Sequence, residues 1–397
     1  MQPTHPFFHF AGRSRESFPP LRAFVAALLL LAACSLAQAA DRLVLRNLTV
    51  ITDKTVAGFD VDGVRLEGAG LIGWDELERG TVGPAKQAEF DALLKSLGEP
   101  LYRIRQRMRV GDYAGLVEPA EAVAPRLLGR ASRTGYIAAQ ALMWGRMAVG
   151  RREEAVEPYF YCLDYLRKLK GPLDGMPGDR RLRFDPASGF AAELLPVWFD
   201  GEAAKKVLPA VRNALRAVGK DGAPPESGYI YFATLSLAAG DEDGAARVLA
   251  ALQPTHPMTR DWLAIVSAER EVRQKKPAAG IAALQSQAAK LAPDNRPAAL
   301  YWLGQSQLLQ AKAAEKREGV LQLLSVPASY GSTHPEIAAA CLALAMDSLG
   351  ATGDARGAVA LRKELLERYG QTIHAAKVKS ASGTASPLRT TPEKGTP

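Results

Sequence analysis

Histidine and cysteine are scarce in this chain, 5 and 3 among 397 residues, and the scarcity removes most of the usual routes to chemistry. His5 and His9 lie near the N-terminus, His256 and His334 each sit in Thr-His-Pro between helical stretches, and His374 follows the last expected helix. None has a partner at helical spacing or a Cys-x-x-Cys neighbour, so no metal site is expected. There is no GxSxG, no Walker loop and no GxGxxG after a strand. The expectation is a protein that is not an enzyme and uses no cofactor. Dense basic stripes are missing too. Of the net charge of +8, residues 1–39 contribute +2 and residues 371–397 contribute +3, which leaves +3 spread over helix faces. That is too little for a nucleic-acid partner.

β-Branched residues become sparse after about residue 84 while alanine is abundant, so the body should be α-helical. With 47% hydrophobic and 23% charged residues the chain is that of a folded protein. Residues 1–39 read as a signal peptide: a basic approach to Arg22, an apolar run from Ala23 to Ala33, and Ala37-Gln38-Ala39 before a polar start. The run is too short to span a bilayer. Leu31-Ala32-Ala33-Cys34 also fits a lipoprotein box, in which Cys34 would be acylated and supply the only membrane contact. Either route predicts an exported protein of the periplasm or cell envelope. Cys162 and Cys341 stand far apart inside apolar helical patterns, and they read as buried small hydrophobes or as a disulfide pair.

Residues 40–83 have a period of two, with Asp62-Gly63 and Gly68-Ala69-Gly70 as turns. A single antiparallel meander of three or four strands is expected there, docked on the helices through Trp74 and Leu77. Residues 84–370 have a helical period. Breaks at Gly111, Gly150, Gly201, Gly240, Lys275, Ala314 and Gly353 are separated by 39, 51, 39, 35, 39 and 39 residues. Five positions after most breaks stands a small residue: Ala155, Ala245, Gly280, Gly319 and Ala358. Residues 371–397 are assigned to a disordered tail. The 51-residue step holds a loop from Gly171 to Gly178, followed by Arg180, Arg181 and Arg183. Loops of that length inside a compact array tend to carry function. The three arginines read as a solvated basic loop or as a site for a carboxylate-bearing partner. Glu153/Glu154 and Asp241/Glu242 read as helix-start carboxylates that favour the macrodipole.

The turns Gly150 to Val156, Gly240 to Ala245 and Gly353 to Ala358, with Leu291-Ala292-Pro293-Asp294-Asn295 and Leu303-Gly304, resemble the tetratricopeptide (TPR) family across roughly residues 85 to 370. The resemblance implies a mainly α fold, an α-solenoid of helical hairpins, here with the period of about 39 read from the breaks, longer than the family's usual length of about 34, and preceded by the small N-terminal β meander read from the alternation. It also implies a scaffold or adaptor that binds a protein or peptide partner. Gln140, Trp144, Thr234, Leu237, Tyr301 and Gln305 would then line the concave face, where aromatics offer area and amides bond a peptide backbone. The competing expectation is an envelope enzyme, such as a carbohydrate-processing one, whose helices close into a toroid around an acidic dyad.

Overall fold

The computed structural model describes residues 41–68, 70–170, 173, 175–221 and 224–383. The segment expected to be a signal peptide, with Cys34, and residues 384–397 lie outside the described residues. The protein is mainly helical, with a small antiparallel β region at its N-terminal side.

That region holds two three-stranded sheets rather than one meander. Strands β1 (Arg42–Leu45), β2 (Val50–Ile51) and β6 (Leu77–Thr81) form the first, in the order β2-β1-β6. Strands β3 (Val56–Asp60), β4 (Gly63–Leu66) and β5 (Leu71–Ile72) form the second. The meander breaks because the 3-10 turn Trp74–Glu76 sends β6 back to β1 instead of extending beside β5. Trp74 and Leu77 are fully buried, as the alternation predicts. The Trp74 ring packs against Phe90 at 5.3 Å and Phe59 at 6.1 Å, and its Nε1 donates to the Asp60 carbonyl at 2.7 Å. The second sheet is also fastened at its hairpin, where Asp62 accepts from Ser132 Oγ at the start of a helix and Thr134 Oγ1 bonds the Asp62 carbonyl at 3.3 Å.

The helices follow in sequence. Helix α1 (Pro84–Leu93) runs through a π turn, Leu94–Gly98, into α2 (Glu99–Val110). Next come α3 (Val117–Leu127), α4 (Arg133–Ala148) and α5 (Val156–Lys168). After an irregular segment stand α6 (Gly201–Val218), α7 (Glu226–Ala238), α8 (Glu242–Ala251), α9 (Pro257–Arg273) and α10 (Pro277–Gln285). The series ends with α11 (Arg296–Leu308), α12 (Ala313–Tyr330), α13 (Pro335–Ala351), α14 (Ala355–Arg368) and α15 (Ile373–Gly383). Helix α15 occupies the start of the stretch assigned to a tail, and it is held there by Ala375, which is fully buried.

Gly111, Gly150, Gly240, Lys275 and Gly353 all end helices with positive φ, between 58° and 86°, the conformation that exposes the last carbonyls to a following turn. Gly201 and Ala314 do not: they lie in the first turns of α6 and α12. Ser132, Asp200, Asp241 and Asp354 cap the helices that follow them by accepting backbone N–H groups. Most helices pack on their successors, and some alternate helices also touch: α2 on α4, α7 on α9, α9 on α11, α11 on α13 and α13 on α15. Ala155, Ala245 and Gly319 are buried at the crossings, whereas Ala358 is half-buried. Cys162 and Cys341 are both free and buried, and they do not pair.

Candidate functional site

Helix α7 is buried almost all round: Ile230, Tyr231, Ala233, Thr234 and Leu235 are each inaccessible to solvent. A helix in that state has both faces covered. Neighbouring helices cover one side, and the other faces the irregular segment between α5 and α6. Its residues Phe190, Leu194, Leu195, Val197 and Trp198 are buried.

The grip on this segment is largely through its backbone. Tyr159 Oη donates to the Gly189 carbonyl at 2.6 Å, and Ser227 Oγ donates to the same oxygen at 2.7 Å. Tyr231 Oη accepts from the Ala191 amide at 3.3 Å and donates to the Leu194 carbonyl at 2.6 Å. Arg152 reaches the carbonyls of Glu193 at 3.3 Å and Leu195 at 2.7 Å. Glu153 Oε1 accepts the amides of Phe199 at 3.0 Å and Asp200 at 3.1 Å. Buried carbonyls and amides outside regular structure need such partners, and without them each would cost about 1–3 kcal/mol. Side chains complete the seat: Trp198 Nε1 donates to Thr234 Oγ1 at 2.8 Å, and Phe190 stacks on Trp262 at 5.7 Å. Phe199 meets Tyr301 at 5.8 Å and His374 at 4.8 Å, both edge-on. Gly150 comes against the Gln371 carbonyl, 3.8 Å from where a Cβ would stand.

The stripe expected from the sequence is therefore not an open groove. Gln140, Trp144, Thr234, Leu237 and Tyr301 are buried, and Gln305 is half-buried. Thr234 and Tyr301 carry the chain's own Trp198 and Phe199, and Trp144 lies beneath Arg180 at 4.8 Å. Gln140 takes a bond at 3.3 Å with Tyr136 and borders a cavity. Of the three loop arginines, Arg180 is packed: it binds Glu193 and covers the Tyr113 ring at 4.6 Å. Arg183 is open to solvent, and Arg181 donates to the Gly178 and Arg180 carbonyls at 2.6 Å and 3.0 Å.

Beside the seated segment lies a cavity of about 700 Å³. Its walls are Leu163 and Leu166 of α5, Leu173, Met176, Leu182 and Phe184 of the segment, and Val218 and Pro225. Polar groups are few: Tyr136, Gln140, Arg167 and Arg181. Arg167 is tied to the Val218 carbonyl at 2.6 Å and to Asp164 at 3.0 Å. A mostly apolar cavity with a few fixed polar groups is the usual form of a binding site.

Ser188, Asp185 and His256 also meet, but in the wrong order for nucleophile activation. Ser188 Oγ bonds Asp185 directly, while His256 Nε2 stands 3.7 Å from the same carboxylate and its Nδ1 caps α9 through Met258 N. A base must hold the serine, with the acid behind it. Here the acid lies between, so the cluster fixes the turn. Among the described residues no group of three or more His, Cys, Asp or Glu could hold a metal ion, and no helix is long and apolar enough to cross a membrane. No family model matches the chain, and neither a curated protein nor a solved structure matches it. The TPR resemblance accordingly rests on this chain's own residues.

Proposed function

We propose that the chain is an exported, TPR-like helical-hairpin scaffold of the cell envelope, with a solenoid period near 39, that holds an apolar extended segment of a protein partner. The observation that carries the reading is the seat of residues 188–200. Tyrosine, serine, arginine and glutamate side chains from α5, its preceding turn and α7 already bind an irregular chain by its backbone. Those are the groups a peptide in an extended form requires. The adjoining 700 Å³ cavity is where further apolar side chains would enter, with Arg181 offering a charge for an acidic neighbour. Glu153, a buried acid beside the segment, has its Oε1 committed to two amides, which is a binding rather than an acid–base role.

Ala187 lines the cavity yet is exposed, so Ala187→Trp fills the space without disturbing the core. Short labelled peptides, apolar with and without a flanking carboxylate, can be titrated against the full chain by fluorescence anisotropy. Apolar peptides should bind and Ala187→Trp should weaken them at least about tenfold, with melting unchanged. Equal binding by the variant removes the cavity from the site.

A further inference from the structure

The apolar cavity beside the seated segment has one polar corner. Tyr136 and Gln140 stand four positions apart on α4 and so share a face of that helix. Both line the cavity, although they are only 5% and 2% exposed. Gln140 Nε2 donates to Tyr136 Oη at 3.3 Å, and the tyrosine proton meets no acceptor among the described residues. Burial raises the Tyr136 hydroxyl above its ordinary value, so that proton stays on the oxygen. Gln140 Oε1 receives no hydrogen bond among the described residues, yet it is not sealed into the core as Trp144 Nε1 and Ser236 Oγ are. The other polar side chains of the cavity are committed. Arg167 holds the Val218 carbonyl and Asp164, and Arg181 holds the Gly178 and Arg180 carbonyls. Arg181 and Ala187 are exposed, so the space opens to solvent on their side, and the Tyr136–Gln140 pair lies on the buried side.

One donor and one acceptor, side by side among Leu163, Met176, Leu182 and Phe184, select the group that can meet both. A plain apolar side chain would cover the pair and leave each atom unmatched. A carboxylate would bring a charge into apolar surroundings and face Gln140 Oε1 with a second acceptor. An ammonium or an indole N–H donates but cannot accept the Tyr136 proton. A hydroxyl does both, and tyrosine is the side chain that carries one at the tip of a large apolar body. Resting on the peptide reading of this cavity, we infer that the partner segment anchors there through a tyrosine, whose hydroxyl accepts from Tyr136 Oη and donates to Gln140 Oε1. Tyr136 and Gln140 are then the specificity-determining residues, and the apolar walls supply affinity that does not distinguish tyrosine from phenylalanine.

The probes are two labelled peptides that differ by one oxygen atom, Ala-Leu-Tyr-Glu-Ala and Ala-Leu-Phe-Glu-Ala, titrated against the full chain by fluorescence anisotropy. The tyrosine peptide should bind at least about tenfold more tightly, because the phenylalanine peptide buries the pair unmatched. Gln140→Met keeps the length of the side chain and removes the acceptor, and Tyr136→Phe keeps the ring and removes the donor. In each variant the tyrosine peptide should weaken and the phenylalanine peptide should not, so that the ratio of the two affinities falls toward one. That ratio is insensitive to a general loss of folded protein, and the parent ratio reports even if a variant fails to fold. Ala187→Trp should weaken both peptides alike. Equal binding of the two peptides by the parent overturns the inference and leaves the peptide reading standing, whereas binding of neither at millimolar concentration overturns both. A preference for tyrosine that survives in Gln140→Met and Tyr136→Phe also overturns it, since the hydroxyl would then be read elsewhere.

Discussion

Trp198 donates its indole N–H to Thr234 at 2.8 Å, and both residues are buried. With the bonds of Ser227 and Tyr231, it joins the irregular segment to a helix that begins some thirty positions later, while Thr234 Oγ1 also bonds the Ile230 carbonyl at 2.9 Å. Trp198→Phe should cost about 1–2 kcal/mol, and Trp198→Ala about 3–5 kcal/mol through the cavity it leaves. A double-mutant cycle with Thr234→Val, read by urea unfolding, should return a coupling of about 1 kcal/mol. Additive losses would mean that the bond contributes nothing.

Two helical glycines should respond in opposite directions to the same change. A Cβ on Gly304 would stand 2.6 Å from Leu323 Cγ and 3.1 Å from the Gly319 carbonyl, so α11 and α12 cross with no space for a methyl group. Gly304→Ala should destabilise by about 1–3 kcal/mol. Gly350 in α13 meets nothing within 4 Å, and Gly350→Ala should stabilise by up to about 1 kcal/mol. Thermal melts of the two variants side by side check both signs.

How far this could be read from the sequence differs by element. The change of period near residue 84, the docking of Trp74 and five of the seven helix ends were legible, because alternation and positive-φ turns are local properties. Gly201 and Ala314 misled because a small residue looks alike in the first turn of a helix and in the break before it. Of the six stripe residues, Thr234 and Tyr301 meet the chain's own Trp198 and Phe199. The seating of residues 188–200 depends on contacts such as Phe190 with Trp262, far apart in sequence, which no periodicity records.

Glu269 gives a pH dependence with a definite sign. Burial raises its carboxyl to about 7, against the pull of Arg273, so the native state binds the proton more tightly than the unfolded chain does. Stability from this group is complete below pH 4.5 and is lost as pH rises toward 7, by about 3 kcal/mol. Buried His374, lowered to about 4 by burial and Lys377, acts oppositely: its contribution is present above pH 6.5 and is lost as pH falls. The whole protein should therefore show a flattened profile. Glu269→Gln should gain stability relative to the parent between pH 4.5 and 7, measured by urea unfolding across that range. A constant difference would refute the assignment.

Trp74 tests the dependence of the sheets on the helices. It is wedged between Phe59 and Phe90, and Trp74→Ala should cost about 3–5 kcal/mol. The loss should appear in a single unfolding transition shared by near-ultraviolet and far-ultraviolet circular dichroism. A separate early transition of the β region would show that the two parts fold independently.

The contacts of Gly150 with Gln371 and of Phe199 with His374 bear on how the chain can change over generations. Helix pairs that touch only their neighbours can be duplicated or deleted, and the remainder still stacks. Here the last helix must arrive at a surface built far earlier in the chain, so the number of pairs in between is fixed by the distance they span. A gained or lost pair would carry α15 past its seat or leave it short, and the large loop that these contacts close makes their formation a late, entropically costly step of folding.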